Sequence, residues 1–92
     1  MAIKYILEYT DRSQKELRSL SPAVARRIVK KLDENIALVD PLQRAKVLTG
    51  ELAGVYRYRI GDYRVLFDYT ESNEIIVLMI LKVGHRKNVY NV

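Results

Sequence analysis

Two runs of alternating polar and bulky residues flank the dipeptide Gly61-Asp62. A period of two is typical of β-strands, and glycine readily adopts the positive φ that a two-residue turn requires. The pattern therefore predicts a β-hairpin over residues 54–69. A two-residue loop also fixes the register, because each residue of one strand then has a single partner on the other. The predicted pairs are Ile60 with Tyr63, Arg59 with Arg64, Tyr58 with Val65, Arg57 with Leu66 and Tyr56 with Phe67.

The two sides of this hairpin differ in chemistry. Bulky side chains that suit a core fall on one side: Tyr56, Tyr58, Ile60, Tyr63, Val65 and Phe67. Arg57, Arg59 and Arg64 fall on the other side, where the Arg64 side chain is predicted to be exposed. Like charges that face each other across a hairpin destabilise it by about 0.2 to 1 kcal/mol, so a compensating partner is expected. Nearby acids would make an ordinary solvated surface, whereas a polyanion would be held through its phosphate oxygens, and charge and geometry favour neither interpretation.

The chain before the hairpin begins with a predicted strand and a short helix. Residues 3–9 are rich in Ile, Leu and Tyr, which is typical of a strand. Asp11 is followed three residues later by Gln14, and this spacing resembles a capping box. The first helix is therefore predicted over residues 12–20.

A second, longer helix is predicted from Ser21 as N-cap and Pro22 at the first helical position to about residue 38. Asp40-Pro41 ends it, because the residue before a proline avoids helical geometry. Apolar residues form one arc of its helical wheel: Val24, Ala25, Ile28, Val29, Leu32 and Ile36. The opposite arc is mainly basic: Arg26, Arg27, Lys30, Lys31 and Glu34.

The remaining segments complete an α+β pattern. A connector leads to the glycine turn at Gly50, and residues 71–74 form a polar turn after the hairpin. Residues 75–83 are almost all apolar, which predicts a central strand covered on both faces. The helix pair is expected to cover one face, and either the C-terminal segment or a partner protein the other. The predicted fold is two N-terminal helices packed on a small, mostly antiparallel four-stranded sheet, in the order β-α-α-β-β-β.

Composition narrows the class of protein. The chain has 92 residues, which suits one domain over residues 1–92, and a formal net charge of +5, which favours an anionic partner. It contains no cysteine and one histidine, so neither a disulfide nor a built-in metal site is expected. No apolar run is long enough to span a bilayer. We therefore expect a cytoplasmic protein that needs no cofactor and binds no membrane.

Three motifs stand out in the second half of the chain: Leu48-x-Gly50, Tyr56-Arg-x-Arg59-x-Gly61-Asp62-Tyr63-Arg64-x-Leu66 and Gly84-His-Arg86-x-x-x-Tyr90. With the order of the predicted elements, they resemble those of RelE family toxins from bacterial and archaeal toxin-antitoxin pairs. The resemblance covers nearly the whole chain and implies a RelE-like fold. It also implies a metal-independent endoribonuclease that cleaves messenger RNA, typically in the ribosomal A site, and leaves a 2′,3′-cyclic phosphate and a 5′-hydroxyl. The implied partners are a RelB-like antitoxin, messenger RNA and the ribosome.

The resemblance further implies which residues act. The family's two basic residues on the first hairpin strand correspond to Arg57 and Arg59, its hairpin arginine to Arg64, its post-strand arginine to Arg86 and its terminal tyrosine to Tyr90. Better studied relatives carry lysines in place of Arg57 and Arg59. The exchange matters because arginine stays protonated and is a poor proton carrier.

The expected mechanism divides the work between charge and proton transfer. The three hairpin arginines stabilise the charge on the phosphate, with Arg86 orienting it. His85 is the preferred proton carrier, because histidine titrates near neutral pH, and Tyr90 stacks on a base or takes part in proton transfer. Further RNA contacts are expected from five basic residues: Lys46, Lys82, Lys87, Arg26 and Lys30. The basic residues of the second helix also fit a plain solvated surface.

Other functions fit the same pattern. A ParE-like relative shares the fold but inhibits DNA gyrase and does not cut RNA, and such proteins generally lack the basic cluster together with Tyr90. A toxin weakened by the exchange of lysine for arginine would only bind RNA or the ribosome. A protein that serves mainly to form a complex with an acidic partner would need no active site at all.

Overall fold

The chain folds as a sheet with two α-helices packed on one face. The computed structural model describes residues 3–90, and all statements about structure concern this range. Its regular elements are β1 (Lys4–Tyr9), α1 (Asp11–Ser19), α2 (Pro22–Ile36), β2 (Ala45–Val47), β3 (Tyr56–Ile60), β4 (Tyr63–Ser72) and β5 (Ile75–His85). Two short 3₁₀ helices, Pro41–Arg44 and Gly50–Leu52, flank β2. The predicted α+β class and helix pair are confirmed.

The sheet has the strand order β1-β5-β4-β3-β2. β1 runs parallel to β5, and the other neighbouring pairs are antiparallel. The prediction of four strands was wrong by one within the described range. The missed strand, β2, has only three residues and pairs with the start of β3 along the sheet edge, so its sequence carries too short a pattern to predict it.

The predicted hairpin register is confirmed at all five pairs. Gly61 in the turn has φ of 60°, the conformation that favours glycine. Tyr58, Val65 and Phe67 are buried, and the rings of Tyr58 and Phe67 stack with centroids 4.6 Å apart. These side chains pack against Ile28 and Leu32 of α2 to form the core.

The N-cap of α1 is Thr10, not Asp11. Thr10 has extended backbone angles, and its hydroxyl accepts a hydrogen bond from the backbone N–H of Ser13 at 3.1 Å. The same hydroxyl donates to the carbonyl of Ile80 in β5 at 3.0 Å. Gln14 donates to the carbonyl of Tyr9 instead of closing a capping box. Thr10 therefore caps the helix and also joins it to β5. A capping box forms hydrogen bonds only within the first helical turn, so it would not make this second contact.

The start of α2 is as predicted, whereas its end and its buried arc differ. The Ser21 hydroxyl accepts a hydrogen bond from the Val24 N–H, and the helix ends at Ile36, two residues before the predicted end. Asn35, which the apolar pattern did not include, is buried on the core side. Two residues of the predicted apolar arc lie instead in an open surface groove: Ala25 and Val29.

β5 is the central strand, but only one of its faces is fully covered. Its helix-side residues are buried: Ile76, Leu78, Ile80 and Val83. Its opposite face is half-buried. The C-terminal segment packs on the end of this face, where Val89 contacts Gly84, so that expected cover is confirmed there, and a cover by a partner protein stays a prediction. The pairing shifts between Leu66 opposite Lys82 and Phe67 opposite Ile80, which leaves Leu81 as a one-residue bulge. Beyond the bulge the alternation of the strand is inverted.

Two buried tyrosines are expected to respond oppositely to removal of their hydroxyl. The Tyr58 hydroxyl donates to the carbonyl of Pro41 at 2.6 Å, whereas the buried Tyr9 hydroxyl has no partner in the part of the chain that is described. Tyr58→Phe should therefore lower the free energy of unfolding by about 1 to 3 kcal/mol at pH 7 in urea titrations. Tyr9→Phe, the matched control, should not lower it. An equal loss in both variants would contradict the hydrogen-bond assignment.

The same pair predicts a pH dependence. Burial, with smaller contributions from Asp40 and Tyr5, raises the pKa of Tyr58 to about 12. Because this pKa is raised in the folded state, the stabilisation is complete below the unfolded-state value of about 10 and is lost as pH rises towards 12. The stability difference between the native chain and Tyr58→Phe should therefore shrink between pH 10 and pH 12. A constant difference across that window would contradict the prediction.

No helix within residues 3–90 has both the length and the apolar character needed to cross a membrane.

Candidate functional site

A row of basic side chains crosses the sheet on the face opposite the helices, here called the outer face. Lys46 on β2 pairs with Arg57 on β3, Arg57 pairs with Leu66 on β4, and Leu66 pairs with Lys82 on β5. Neighbouring strands lie about 4.8 Å apart, so the row spans about 14 Å. The bulge at Leu81 places Lys82 in this row. Without the bulge, the alternation of β5 would put Lys82 on the helix side. The sheet thus brings together side chains that are far apart in sequence.

Arg57 is held in this row with part of its hydrogen-bonding capacity unused. Its side chain is half-buried, and its Nε is buried without a hydrogen-bond partner among the residues that the structure describes. A buried donor of a charged group is costly when unpaired. The missing partner is an acceptor, and an anion would supply it.

Arg64 lies in the next row, paired with Arg59 on one side and Gly84 on the other. Its side chain was predicted to be exposed, and this was wrong: the residue is only 8% exposed. Its Nη1 donates to the carbonyls of Gly61 and Tyr63, both at 2.9 Å. The Arg64 guanidinium therefore stabilises the hairpin turn through these two hydrogen bonds. It also contributes a fixed positive charge to the outer face.

The C-terminal segment turns back onto the outer face. Val89 is buried and packs against Gly84, and Tyr90 lies beside Leu66 and Lys82. A hollow of about 140 Å³, here called the outer hollow, is bordered by Leu66, Lys82, Val89 and Tyr90. Its other lining residues come from α1, β5 and the segment before β3. Tyr90 therefore lies on the side of the sheet that the hairpin arginines occupy, and its role stays a prediction.

Arg86 is tied to the hairpin turn. Its backbone N–H donates to the carbonyl of Asp62 at 2.8 Å, and its Nε lies 3.7 Å from the Asp62 carboxylate. Asp62 thus pairs with the tail arginine. Across residues 3–90, none of the hairpin arginines makes a salt bridge to a carboxylate: Arg57, Arg59 and Arg64.

His85 lies on the helix side of the sheet, whereas the hairpin arginines occupy outer-face positions. It pairs with Tyr63, whose ring it contacts edge-on at 5.6 Å between centroids, and Tyr63 belongs to the helix side of the hairpin. Its Nδ1 accepts a hydrogen bond from the Lys87 N–H at 3.2 Å. The structure therefore does not place the predicted proton carrier on the face of Arg64, because the bulge inverts the alternation before His85 is reached.

The five predicted RNA contacts are split between two sides of the sheet. Lys46 and Lys82 lie on the outer face, and Lys87 is exposed in the tail. Arg26 and Lys30 line the surface groove of α2, on the helix side. These two residues lie on the opposite side of the sheet from the outer-face row. Their predicted contacts with RNA stay a prediction.

The outer hollow includes one basic residue that was not predicted. Arg12, in the first turn of α1, lines it opposite Tyr90 and forms an ion pair with Glu16 at 3.5 Å. Glu16 also accepts a hydrogen bond from the Val83 N–H at 2.9 Å, so α1 covers the β5 edge where β1 has ended. Nothing in the local sequence around Arg12 indicates this placement, because it depends on how α1 docks on β5.

The outer face presents cations, apolar surface and one exposed tyrosine. In the range covered by the structure, no three His, Cys, Asp or Glu side chains are grouped so that they could hold a metal ion. Fixed guanidinium and ammonium groups bind phosphate oxygens, and an aromatic ring beside them gives a base a stacking partner. The arrangement therefore suits a single-stranded polyanion.

Comparisons with known proteins agree with this description. Residues 7–90 match the family described as ParE toxin of type II toxin-antitoxin system, parDE. Toxin RelG of Mycobacterium tuberculosis (strain ATCC 25618 / H37Rv) is 30% identical over 86 residues, which cover 94% of this chain and 95% of RelG.

Solved structures show the same fold. The toxin-antitoxin complex RelBE2 from Mycobacterium tuberculosis contains a chain with a TM-score of 0.77 and 28% identity, covering 96% of this chain and 98% of that one. The archaeal RelE-RelB complex from Pyrococcus horikoshii OT3 contains one with a TM-score of 0.63 and 27% identity, covering 95% and 100%.

Fold, motifs and relatives together define a toxin of a type II toxin-antitoxin system in the RelE/ParE superfamily. The chain belongs to the ParE toxin family of such systems. The resemblance drawn from the sequence motifs is thus confirmed at the level of the superfamily.

Proposed function

We propose that this toxin is an endoribonuclease that inhibits translation by cleaving messenger RNA in the ribosomal A site. The observation that carries the proposal is the outer-face row of Lys46, Arg57 and Lys82, in which the Arg57 Nε is buried without an acceptor. A phosphate oxygen of RNA is an acceptor of the right charge for that donor. The hairpin and tail motifs shared with RelE toxins support the same activity.

The proposed reaction needs no covalent intermediate with the protein. The ribose 2′-oxygen attacks the adjacent phosphorus, the bond from phosphorus to the 5′-oxygen breaks, and the products are a 2′,3′-cyclic phosphate and a 5′-hydroxyl. One proton leaves the 2′-hydroxyl and one reaches the 5′-oxygen. Arg57 and Arg64 stabilise the extra negative charge on the pentavalent phosphate, which develops only in the transition state.

Proton transfer is assigned to groups of the outer face instead of His85. Arginine does not give up its proton, so the candidates in reach of the row are Lys46, Lys82 and Tyr90. Tyr90 also offers its ring to a base, because it is exposed at the border of the outer hollow. We propose that it holds the nucleotide beside the scissile phosphate.

We further propose that a RelB-like antitoxin is the protein partner. The solved relatives from Mycobacterium tuberculosis and Pyrococcus horikoshii are complexes of toxin and antitoxin. A net charge of +5 favours a partner that carries acidic residues. Binding of such a partner to the outer face would block access of RNA.

Inhibition of DNA gyrase is the second candidate, for two reasons. The matched family is described by the name ParE, and His85 does not share a face with the arginines. A gyrase inhibitor needs a binding surface but no proton carrier. The two candidates therefore predict different products.

End mapping separates them. The purified toxin is added to a cell-free translation reaction with a defined messenger RNA, and the same RNA without ribosomes serves as control. We expect new 5′-hydroxyl and 2′,3′-cyclic phosphate ends within codons of the translated messenger RNA. The sample without ribosomes should contain fewer of these ends. Intact RNA together with loss of gyrase supercoiling in a parallel assay would refute the nuclease proposal and support the ParE-like function.

A further inference from the structure

A second basic site lies at the edge of the sheet beside α2, and it includes Arg59 from the outer-face side of β3 as well as residues of the helix side. Ala45, the first residue of β2, pairs with Tyr58. The last two residues of β3 therefore have no strand beside them at that edge. The space is walled by α2 and the first 3₁₀ helix and has a volume of about 370 Å³. We call it the edge pocket. It is separate from the outer hollow, with which it shares no lining residue.

Four cationic residues line the edge pocket: Arg27, Lys31, Arg44 and Arg59. None of the described residues that line it is acidic. Lys31 forms an ion pair with Glu34 at 3.7 Å, whereas within residues 3–90 the three arginines have no carboxylate partner. Like charges this close repel each other unless an anion joins them. The pocket therefore has the charge of an anion site.

Arg27 of α2 reaches the hairpin turn. Its guanidinium lies against Gly61, so closely that a side chain at this position would require Arg27 to move. Gly61 is also the turn residue with positive φ, and both requirements favour glycine. The hairpin turn thus supports one arginine of each site, because its carbonyl binds Arg64 and its Cα faces Arg27.

Asn35 adds a neutral polar group to the pocket. The residue is only 4% exposed, and its amide, which no described residue hydrogen-bonds, is open to solvent and not fully enclosed. An amide offers both a donor and an acceptor, so it can bind a neutral polar edge as well as an anion. A base or a ribose has such an edge.

We propose that the edge pocket binds one nucleotide, with the phosphate among Arg27, Arg44 and Arg59 and the Asn35 amide on the base or sugar. Small-molecule sites have volumes of about 300 to 1,000 Å³, so the pocket has room for a single nucleotide. The nucleotide is either free or part of an RNA chain. In the second case the site extends the proposed RNA-binding function to the helix side, and that part of the inference rests on it.

The test uses the full chain labelled with ¹⁵N, titrated with adenosine monophosphate, with inorganic phosphate and with a single-stranded RNA that carries 2′-O-methyl groups and resists cleavage. The side-chain amide signals of Asn35 are expected to shift with the nucleotide and less with phosphate.

Arg27→Ala should weaken nucleotide binding about tenfold or more, since it removes a charged hydrogen-bond donor. Arg18→Ala, the matched control, should change it less than twofold. Arg18 is exposed on α1 and lines neither site.

The three titrated ligands distinguish a free nucleotide from a nucleotide within an RNA chain. Saturation by adenosine monophosphate alone assigns a free nucleotide, whereas tight binding of the RNA only assigns a nucleotide within a chain. Unshifted Asn35 signals, equal effects of Arg27→Ala and Arg18→Ala, or preferred binding of an acidic peptide would overturn the inference. End mapping is independent of this result: cleavage without nucleotide binding here refutes the edge pocket alone, and nucleotide binding without cleavage refutes the nuclease proposal alone.

Discussion

Replacing Arg57 with methionine is expected to slow RNA cleavage by about 10²- to 10³-fold while leaving the fold at least as stable. Loss of one donor to the charge of a transition state costs about this much in enzymes. Methionine retains an apolar stem of similar length, so the packing of the half-buried side chain is largely kept. Removal of a buried Nε that has no acceptor also removes an energetic penalty. The free energy of unfolding should therefore be unchanged or rise.

The measurement is cleavage of a translated messenger RNA under conditions where each variant is fully folded. Arg18→Met is the matched control, because it removes the same charge from an exposed position on α1. It should retain the native rate. Equal slowing in both variants would mean that only net charge matters, and full activity of Arg57→Met would remove the outer-face row from the mechanism. A large loss of stability in Arg57→Met would show that Arg57 has a structural role instead.

The hairpin shows how much of this fold can be predicted from sequence. A two-residue turn with Gly61 leaves one register, and strict alternation then assigns every side chain to a face. Both requirements are local, so neighbouring residues are enough to satisfy them. Three arginines were placed on one side for this reason, and the strand pairs of the structure confirm that register.

His85 shows where such reasoning stops. Unbroken alternation from Ile76 would place an odd-numbered residue of β5 on the outer face. The bulge at Leu81 inverts that alternation, so His85 pairs with Tyr63 instead. The sequence around Leu81 does not indicate the bulge, since neither Gly nor Pro adjoins Leu81 and the lysine that follows it also occurs in unbroken strands. The position of the bulge depends on the partner strand, which is a tertiary property.

Asn35 and Arg12 were missed for a related reason. A polar residue in a helix is normally assigned to solvent, yet Asn35 lies on the buried arc of α2. Arg12 reaches the outer hollow because α1 replaces β1 along the edge of β5. Both placements follow from how helices dock on the sheet. A pattern along one segment contains no information about such docking.

Arg64→Ala is expected to lose both stability and activity. The exposed side chain assumed from the sequence would have allowed a loss of cleavage without any change in the fold. The buried guanidinium instead donates to the carbonyls of Gly61 and Tyr63. Hydrogen bonds from a charged donor contribute about 1.5 to 3 kcal/mol, so the free energy of unfolding should fall by about 2 to 3 kcal/mol. Cleavage should fall as well, because the outer face loses a fixed positive charge.

A second variant separates these two effects. Arg64→Lys keeps the charge and one donor but lacks the planar fork, so it should recover part of the stability. Urea unfolding gives the fraction folded, and the cleavage rate is then expressed per folded molecule at low temperature. We expect that rate to fall about tenfold or more in Arg64→Ala and by a smaller factor in Arg64→Lys. A native rate per folded Arg64→Ala molecule would limit Arg64 to the turn, and native stability would contradict its observed hydrogen bonds.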